Sequence, residues 1–374
     1  MITRRKTGPI LGILISICLV VTSCYTALTP TISPRIVSEW SLEESNGKAG
    51  ITNGTTGKIN NSNYLLLAVT SSQDNGKLVE TSIRILDLED PSKPLEVGHI
   101  KAVDEDSNNL HYIMDMELSG NLIYAIVDNY LWIVDVSDPS APKEIALLPT
   151  YYPQITISGD YAYISVVKNP NNVGFIVLDI SDPALPKEVG TSELLPRGLN
   201  GFLASGSLLF VVTEDGLHIV DISSPNSLEE IAFVPHPNDE PDENKDLFQD
   251  VAVAGKYAYV TSRESGLYVF DISNPSSPKK VASLDTNERA SSILVSGDLV
   301  YIVDWRKMTS MEGNTTPILI IDVSNPNQPK ELAFVELPVY SGNFHFAEAK
   351  NHIYWFSNAS SIISIVDVYA PATE

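Results

Sequence analysis

The sequence predicts an all-β fold, a seven-bladed β-propeller built from four-stranded antiparallel blades. Three observations predict it. A short apolar motif that ends in aspartate recurs seven times, and consecutive copies lie between 42 (Asp179 to Asp221) and 51 (Asp271 to Asp322) residues apart. Each repeat has room for four short strands, which is typical of a propeller blade. The 21 glycines and 24 prolines among 374 residues favour many turns over long helices.

The repeated motif predicts the third strand of each blade and the turn that follows it. Its fifth copy reads Leu267-Tyr-Val-Phe-Asp-Ile-Ser-Asn-Pro275. In such a turn, Asp and Ser side chains hydrogen-bond nearby backbone amides. A site requires unlike groups that converge on one point, so we interpret the repeated aspartate as structural rather than catalytic. The seven aspartates are Asp87, Asp135, Asp179, Asp221, Asp271, Asp322 and Asp367.

Each repeat divides into four predicted strands, A to D. The fifth unit predicts strand A at Phe248–Ala254, strand B at Lys256–Ser262, strand C at Gly266–Ile272 and strand D at Lys279–Leu284. These segments are rich in β-branched and aromatic residues, and the loops between them are short. Because no helical periodicity accompanies them, the pattern indicates antiparallel sheet.

The seventh unit lacks a strand D. Its strands A, B and C are predicted at Phe344–Ala349, His352–Ser357 and Ile362–Val368, and no strand D pattern follows them. Residues Pro34–Leu42 resemble that pattern instead. We therefore predict that the last blade is closed by this N-terminal strand, which would leave no unpaired sheet edge in the ring.

The motif Leu-x-Ile-Val-Asp-Ile-Ser-x-Pro, followed by Pro-Lys-Glu, resembles the repeat of the LVIVD-repeat proteins. The resemblance covers about residues 60–371. It implies an extracytoplasmic β-propeller of bacteria or archaea, in a family whose members often have no assigned biochemical role. The fourth copy departs from the pattern, since Ser-Leu-Glu at 227–229 replaces the usual Pro-Lys-Glu region.

The N-terminus predicts export and a lipid anchor. Three basic residues at 4–6 precede the apolar run Ile10–Val21, which is too short to span a bilayer comfortably. The next residues, Val21-Thr-Ser-Cys24, resemble a lipobox and predict lipidation of Cys24; a plain secretory signal with a chance cysteine is the alternative. The predicted division is a lipoprotein signal peptide at residues 1–23, a tether at 24–34 and the LVIVD-repeat propeller at 35–371.

The charge of the chain limits its partners. With 24 basic and 47 acidic residues, the net charge is −23. Nucleic-acid binding requires clustered Lys and Arg, so we expect no nucleic-acid partner. The same charge argues against a basic face that docks on anionic lipid, so we expect membrane attachment through the lipid anchor. We expect a monomer that meets a protein, peptide or glycan at the cell envelope.

Candidate binding residues lie at the mouth of the central channel. The D–A and B–C loops share one face of a propeller, and here they differ from blade to blade. The entrances of the A strands would line the channel with unlike groups, as expected of a binding site; a water-filled channel without a ligand is the alternative. The candidates are Asp115, Gln154, Asp250, Ser292 and His345, with Trp305 from the loop at Asp304–Thr316.

One acidic loop has the spacing of a calcium site. Asp104-Glu-Asp-Ser-Asn108 places oxygen side chains at positions one, three and five of a calcium loop, and Asp115 stands at position twelve. A solvated acidic loop is the alternative. Ca²⁺ is thus the candidate cofactor, and its candidate ligands are Asp104, Asp106, Asn108 and Asp115.

Two function classes follow from these patterns. The first is an extracytoplasmic, lipid-anchored binding or interaction module with an unidentified ligand. The second is a hydrolase or lyase, assisted by calcium, with a carboxylate and histidine site on the face that carries the D–A and B–C loops. The sequence contains no G-x-S-x-G, H-E-x-x-H, P-loop or C-x-x-C motif, which favours the binding module. The second class would gain support if His111, His236 and His345 met on that face.

Overall fold

The structure is a ring of seven β-sheets that correspond to the seven predicted blades. It is a computed structural model, and the residues that it describes contain no helix long and apolar enough to cross a membrane. The predicted all-β, seven-bladed propeller with four-stranded antiparallel blades is confirmed. The structure describes residues 32–42, 48–72, 78–102, 112–150, 154–169, 172–192, 195–196, 198–237, 246–286, 290–304, 315–338, 344–357 and 361–369.

Strand β1 (Arg35–Ser41) comes first in the chain and belongs to the last blade, and blades 1 to 4 follow it. Blade 1 contains β2 (Lys48–Ile59), β3 (Ser62–Ser72), β4 (Leu78–Asp87) and β5 (Leu95–Lys101). Blade 2 contains β6 (Ile113–Ser119), β7 (Leu122–Val127), β8 (Tyr130–Asp135) and β9 (Lys143–Pro149). Blade 3 contains β10 (Ile155–Ser158), β11 (Tyr161–Asn169), β12 (Asn172–Asp179) and β13 (Lys187–Thr191), with β14 (Leu195–Pro196) beside β12. Blade 4 contains β15 (Leu199–Ser205), β16 (Leu208–Thr213), β17 (Gly216–Asp221) and β18 (Glu229–Pro235).

Blades 5 to 7 complete the ring. Blade 5 contains β19 (Phe248–Ala254), β20 (Tyr257–Ser262), β21 (Gly266–Asp271) and β22 (Lys279–Leu284). Blade 6 contains β23 (Ala290–Ser296), β24 (Leu299–Asp304), β25 (Thr315–Asp322) and β26 (Lys330–Pro338). Blade 7 contains β27 (Phe344–Ala349), β28 (His352–Ser357) and β29 (Ile362–Asp367). The strand ends in blades 5 and 7 agree with the prediction to within one residue.

The N-terminal strand closes the last blade, as predicted. β1 pairs antiparallel with β29, with Arg35 opposite Asp367 and Ser41 opposite Ile362. Its Trp40 packs against a buried cluster that contains side chains of blades 7 and 1. The two ends of the described propeller are therefore joined by backbone hydrogen bonds and by apolar packing.

Apolar packing between neighbouring blades forms the core. Seven buried clusters occur in the described residues, and each contains side chains from two adjacent blades, including blades 7 and 1. Tyrosines on the B strands are part of this packing, and the Tyr354 hydroxyl also donates a 3.0 Å hydrogen bond to the Pro91 carbonyl of the next blade. Burial of one large apolar side chain stabilises a protein by roughly 1.5–3 kcal/mol, so the ring is held at all seven junctions.

The repeated aspartate has the predicted structural role. In all seven copies its Oδ1 accepts the backbone N–H of the residue two positions later, at 2.6 to 3.0 Å. Where that residue is a serine, as at Ser137 and Ser223, these hydrogen bonds hold the pKa of Asp135 and Asp221 below the usual value. The aspartates fix the C–D turns and lie away from the inner strands.

Candidate functional site

The seven A strands surround a central cavity with a volume of about 550 Å³. The A strands are β2, β6, β10, β15, β19, β23 and β27, and each contributes lining residues, together with Gln154 directly before β10. The cavity is therefore the central channel of the propeller. It is the place where side chains from all seven blades come together.

One position of each A strand forms a ring around this cavity. It lies five residues before the A–B turn, and the five candidates from the sequence that the structure describes occupy it in their blades. The two blades without a candidate add a threonine and a glycine. The role of the five candidates in ligand binding stays a prediction. The seven residues, which all line the cavity, are Thr55, Asp115, Gln154, Gly201, Asp250, Ser292 and His345.

Two aspartates of this ring also join neighbouring blades. Asp115 accepts the Met116 amide through Oδ1 and the Ile155 amide of blade 3 through Oδ2, both at 2.9 Å. Asp250 repeats this arrangement three blades further on: its Oδ1 accepts the adjacent backbone amide at 2.8 Å and its Oδ2 accepts the Ile293 amide of blade 6 at 3.1 Å. Each carboxylate thus connects the inner strands of two blades while it faces the channel.

Gly201 provides the space that Asp250 occupies. A Cβ at Gly201 would stand 2.7 Å from Oδ1 of Asp250 and 3.2 Å from its Cα. A Cβ does not approach a nonbonded oxygen atom to 2.7 Å, so a larger residue at 201 would displace the carboxylate. The glycine, which contributes no polar group, therefore shapes the acidic part of the channel.

Glu117 lines the cavity as well, although it was not among the residues predicted from the sequence. It lies on β6 two residues after Asp115, so both side chains face the same side of the strand. Its Oε2 accepts the Ile157 amide of blade 3 at 3.0 Å. The alternation of strand residues was the available signal, because the residue two positions beyond a channel-facing residue faces the channel as well.

The electrostatics of the cavity favour uncharged side chains. Desolvation by the surrounding protein raises the pKa of Asp115 and of Asp250 to about 6. Desolvation, with a smaller contribution from the negative charge of Asp115, raises the pKa of Glu117 to about 7. Burial lowers the pKa of His345 to about 4, so its imidazole is neutral at physiological pH. Part of each group still faces the cavity, and the protein atoms around it cause the shifts.

A second polar cluster lies at the junction of blades 4 and 5. Ser262 Oγ lies 2.9 Å from Nε2 of His236 and donates a 2.7 Å hydrogen bond to Oδ1 of Asp246. All three side chains are buried. Because the serine hydroxyl is bonded to the carboxylate and shielded from solvent, the cluster orders this junction and has no exposed nucleophile. His236 packs on Phe248 and lies outside the channel lining.

Several candidate residues lie outside the described residues: Cys24, Asp104, Asp106, Asn108, His111 and Trp305. Of the predicted calcium ligands the structure therefore describes Asp115 alone, with both oxygens bonded to backbone amides. No group of three or more His, Cys, Asp or Glu side chains that could hold a metal occurs among the described residues. The calcium site, the lipidation site and the hydrolase or lyase alternative stay predictions.

The fold and the cavity define a class of protein, a repeat propeller whose inner strands place unlike groups around one channel. The family model described as LVIVD repeat matches residues 112–150, 153–193, 202–234, 248–286 and 288–335. These matches cover more than half of the chain. The chain belongs to the LVIVD-repeat family, and propellers of this kind commonly serve as interaction modules.

One curated relative and several solved structures are similar to this chain. The uncharacterized protein MJ1554 of Methanocaldococcus jannaschii is 35% identical over 66 residues, which are 18% of this chain and 10% of that protein. The chain therefore spans about a tenth of the length of this relative.

The similar solved structures share the fold at low sequence identity. A chain of the mitotic checkpoint complex has a TM-score of 0.61 at 10% identity, over 91% of this chain and 98% of that chain. The computationally designed Ika8 protein has a TM-score of 0.51 at 11% identity, over 87% and 98%. The CNH domain of AfRom2 has a TM-score of 0.50 at 10% identity, over 88% and 98%. At such identities the similarity concerns the fold alone.

Proposed function

We propose that the protein is a binding module, anchored by a lipid on the extracytoplasmic side of a membrane, and that its ligand binds in the central channel. One observation carries the binding role. The strands and turns repeat from blade to blade, whereas the ring of seven channel positions holds residues of different chemistry. Residues that repeat in every blade serve the common fold, whereas a binding site requires unlike groups at one place.

The size and lining of the cavity support a small ligand. A volume of about 550 Å³ lies within the range of small-molecule sites, roughly 300–1,000 Å³. Its wall combines carboxylates, amides and hydroxyls with apolar side chains such as Phe202 and Leu203. Such a mixture can orient a ligand by hydrogen bonds and bury its apolar part.

The proposed anchor is supported by the first 24 residues. A basic segment, an apolar run and the sequence Val21-Thr-Ser-Cys24 follow in the order expected of a lipoprotein signal. A second cysteine, Cys18, lies within the apolar run. It offers a matched control, because a cysteine at that place would be removed with the signal.

The experiment for the anchor compares Cys24→Ala with Cys18→Ala in the full chain. We expect wild-type protein and Cys18→Ala to incorporate a labelled fatty acid and to sediment with membranes after a high-salt wash. Cys24→Ala should lose the label and leave the membrane fraction, because acylation of that thiol is the proposed attachment. Retention of Cys24→Ala in washed membranes would contradict the proposed anchor.

The experiment for the channel compares capture of envelope components by the wild-type chain and by Ser292→Trp. The indole would fill the channel mouth without altering a carboxylate. Glu331→Gln, on the exposed outer strand of blade 6, is the control. We expect Ser292→Trp to lose the ligand that wild-type protein and Glu331→Gln retain. Equal capture by all three proteins would place binding elsewhere on the molecule.

A further inference from the structure

The channel wall is acidic. Its described lining residues include the carboxylates of Asp115, Glu117 and Asp250 but no Lys or Arg. The imidazole of His345 adds no positive charge at neutral pH, because burial lowers its pKa to about 4. A concave site with one sign of charge and a low-dielectric wall concentrates its potential on whatever enters.

The carboxylates stand on two opposite walls. Asp115 and Glu117 lie on β6 of blade 2, and Asp250 lies on β19 of blade 5, three blades further around the ring. In a ring of seven, no two blades are farther apart. We call these surfaces the blade 2 wall (Asp115 and Glu117) and the blade 5 wall (Asp250).

His345 gives an independent indication that the cavity takes a ligand. Its ring lines the cavity and stacks on Phe356, with the ring centroids 6.1 Å apart. Among the described residues it has no hydrogen-bond partner. A neutral imidazole carries one donor and one acceptor, and on the wall of a cavity both can pair with a ligand. A ligand with N–H groups would provide the missing partner.

We propose that the cavity binds a small organic molecule with two ammonium groups, one against the blade 2 wall and the other against the blade 5 wall. This inference rests on the proposed function, since it specifies the ligand of the same channel. The volume of about 550 Å³ suits a molecule rather than a single ion. The described residues also lack a cluster of three metal-ligating side chains, which favours an organic cation over a bare metal ion.

The carboxylates can bind a ligand without giving up their bonds between blades. Glu117 accepts the Ile157 amide through Oε2 and a side-chain hydrogen bond from Thr156, and its two oxygens have further lone pairs for a ligand. Asp250 accepts one amide on each oxygen, and each oxygen has a second lone pair. An ammonium group has three donors, and its bonds to carboxylates are charge-assisted and strong. The raised pKa values of these carboxylates favour a bound proton, and an ammonium group can take the place of that proton.

The experiment uses three probes with the same five-carbon chain: 1,5-diaminopentane, pentylamine and 1,5-pentanediol. Binding to the full-length protein is measured by calorimetry at about pH 8, where the three carboxylates are ionised and the amines, with a pKa near that of lysine, are charged. We expect the diamine to bind about tenfold or more tightly than the monoamine, because one more charge-assisted contact forms. The diol should bind more weakly than both.

The variants Glu117→Gln and Asp250→Asn test the two walls separately. Asp250→Asn removes the charge of the blade 5 wall, so on this variant the diamine should bind no better than pentylamine binds the wild type. Glu117→Gln leaves Asp115 as the one carboxylate of the blade 2 wall, so the diamine should bind more weakly than to the wild type. Asp250 also joins two blades, so a melting curve accompanies its variant, and Glu117→Gln provides the test if Asp250→Asn unfolds. Glu331→Gln on exposed β26 is the matched control and should bind like the wild type.

A proton measurement separates ligand binding from a structural role of the carboxylates. At about pH 6 the cavity groups Asp115, Glu117 and Asp250 are partly protonated. Diamine binding should then release protons, which calorimetry in buffers of different ionisation enthalpy detects, and Glu117→Gln should release fewer. His345 is neutral there and contributes little.

The outcomes distinguish this inference from the proposed function. Equal affinity for diamine and diol, or an unchanged diamine affinity in Glu117→Gln, overturns the inference. Displacement of the diamine by equimolar Ca²⁺ overturns it as well, because the site would then be one for an inorganic cation. In each of these cases, loss of envelope capture by Ser292→Trp would still support a binding module with a ligand of different chemistry.

Discussion

At the scale of single residues, a small side chain on every strand D allows the blades to approach one another. A Cβ at Gly98 of blade 1 would stand 2.2 Å from the Pro139 carbonyl oxygen in the C–D turn of blade 2, and Gly190 has the same relation to Pro225. The equivalent residue of β1, Ser38, hydrogen-bonds the Ser92 carbonyl of blade 1. The seven residues, each paired with the residue two before the repeated aspartate, are Ser38, Gly98, Ala146, Gly190, Ala232, Ala282 and Ala333.

We expect Gly98→Val to destabilise the protein by about 1–3 kcal/mol, because its side chain would force apart the backbones of blades 1 and 2. Urea unfolding at 25 °C measures the change. Leu95→Ala on the same strand is the control, since Leu95 is 67% exposed and its loss should change stability by less than about 0.5 kcal/mol. Equal stability of the two variants would mean that the junction tolerates a larger residue.

The repeated aspartate leads to a prediction of the same scale. Asp135→Ala removes the 2.7 Å hydrogen bond from the Ser137 amide and should cost about 0.5–1 kcal/mol, a small value because the turn is open to water. Asp135→Asn keeps the accepting oxygen and should retain most of the stability. If the two variants lost equal stability in urea, the charge of Asp135 would matter more than the acceptor.

At the scale of elements, β1 decides whether the ring is closed. Deletion of residues 34–43 would leave β29 as an unpaired edge and expose the cluster that Trp40 covers. We expect a lower melting temperature, measured by scanning calorimetry, and aggregation on heating, measured by light scattering. Deletion of residues 26–31, within the predicted tether, is the control and should leave the melting temperature unchanged. A deletion of 34–43 that melted like the wild type would show that closure does not depend on this strand.

The strands could be predicted because the chain repeats its own pattern. Seven copies of one motif define the period, and the alternation within each copy defines the strand, so the bounds in blades 5 and 7 were predicted to within one residue. β14 could not be predicted, because Leu195–Pro196 pairs with Asn172 and Val173 and the described residues of the other blades contain no equivalent strand. An irregular element that occurs once has no internal repeat to reveal it.

At the scale of the whole molecule, the sequence located the channel positions but could not reveal their interactions. Counting back from each A–B turn placed Gln154 and Ser292 beside one cavity, since equivalent residues of a closed ring face the same axis. The bond from the Ile155 amide to Asp115 depends on how two blades are inclined to each other, which no periodicity encodes. The partnership of His236 with Ser262 depends in the same way on the docking of blades 4 and 5.

The acidic channel also makes the stability of the whole ring depend on pH. Folding raises the pKa of Asp115 and Asp250 from 3.8 to about 6 and that of Glu117 from 4.5 to about 7. At a pH between the unfolded and the folded pKa of each group, the folded protein binds more protons than the unfolded chain. The free energy of unfolding should therefore be highest below about pH 4.5 for these groups and fall as the pH rises to about 7.

The turn aspartates act in the opposite direction. Hydrogen bonds from nearby serines lower the pKa of residues such as Asp135 and Asp221, so their contribution is present above pH 3.8 and is lost in stronger acid. Together the two sets predict a maximum of stability near pH 4–5 in urea unfolding across pH 3–8. Glu117→Gln should reduce the fall between pH 4.5 and 7 by on the order of 2 kcal/mol, whereas Asp135→Asn should alter only the acid side. Stability that rose from pH 5 to 7 would show that the channel carboxylates are ionised without cost. Saturating diamine should reduce the loss of stability between pH 4.5 and 7, because it stabilises the charged forms of these carboxylates.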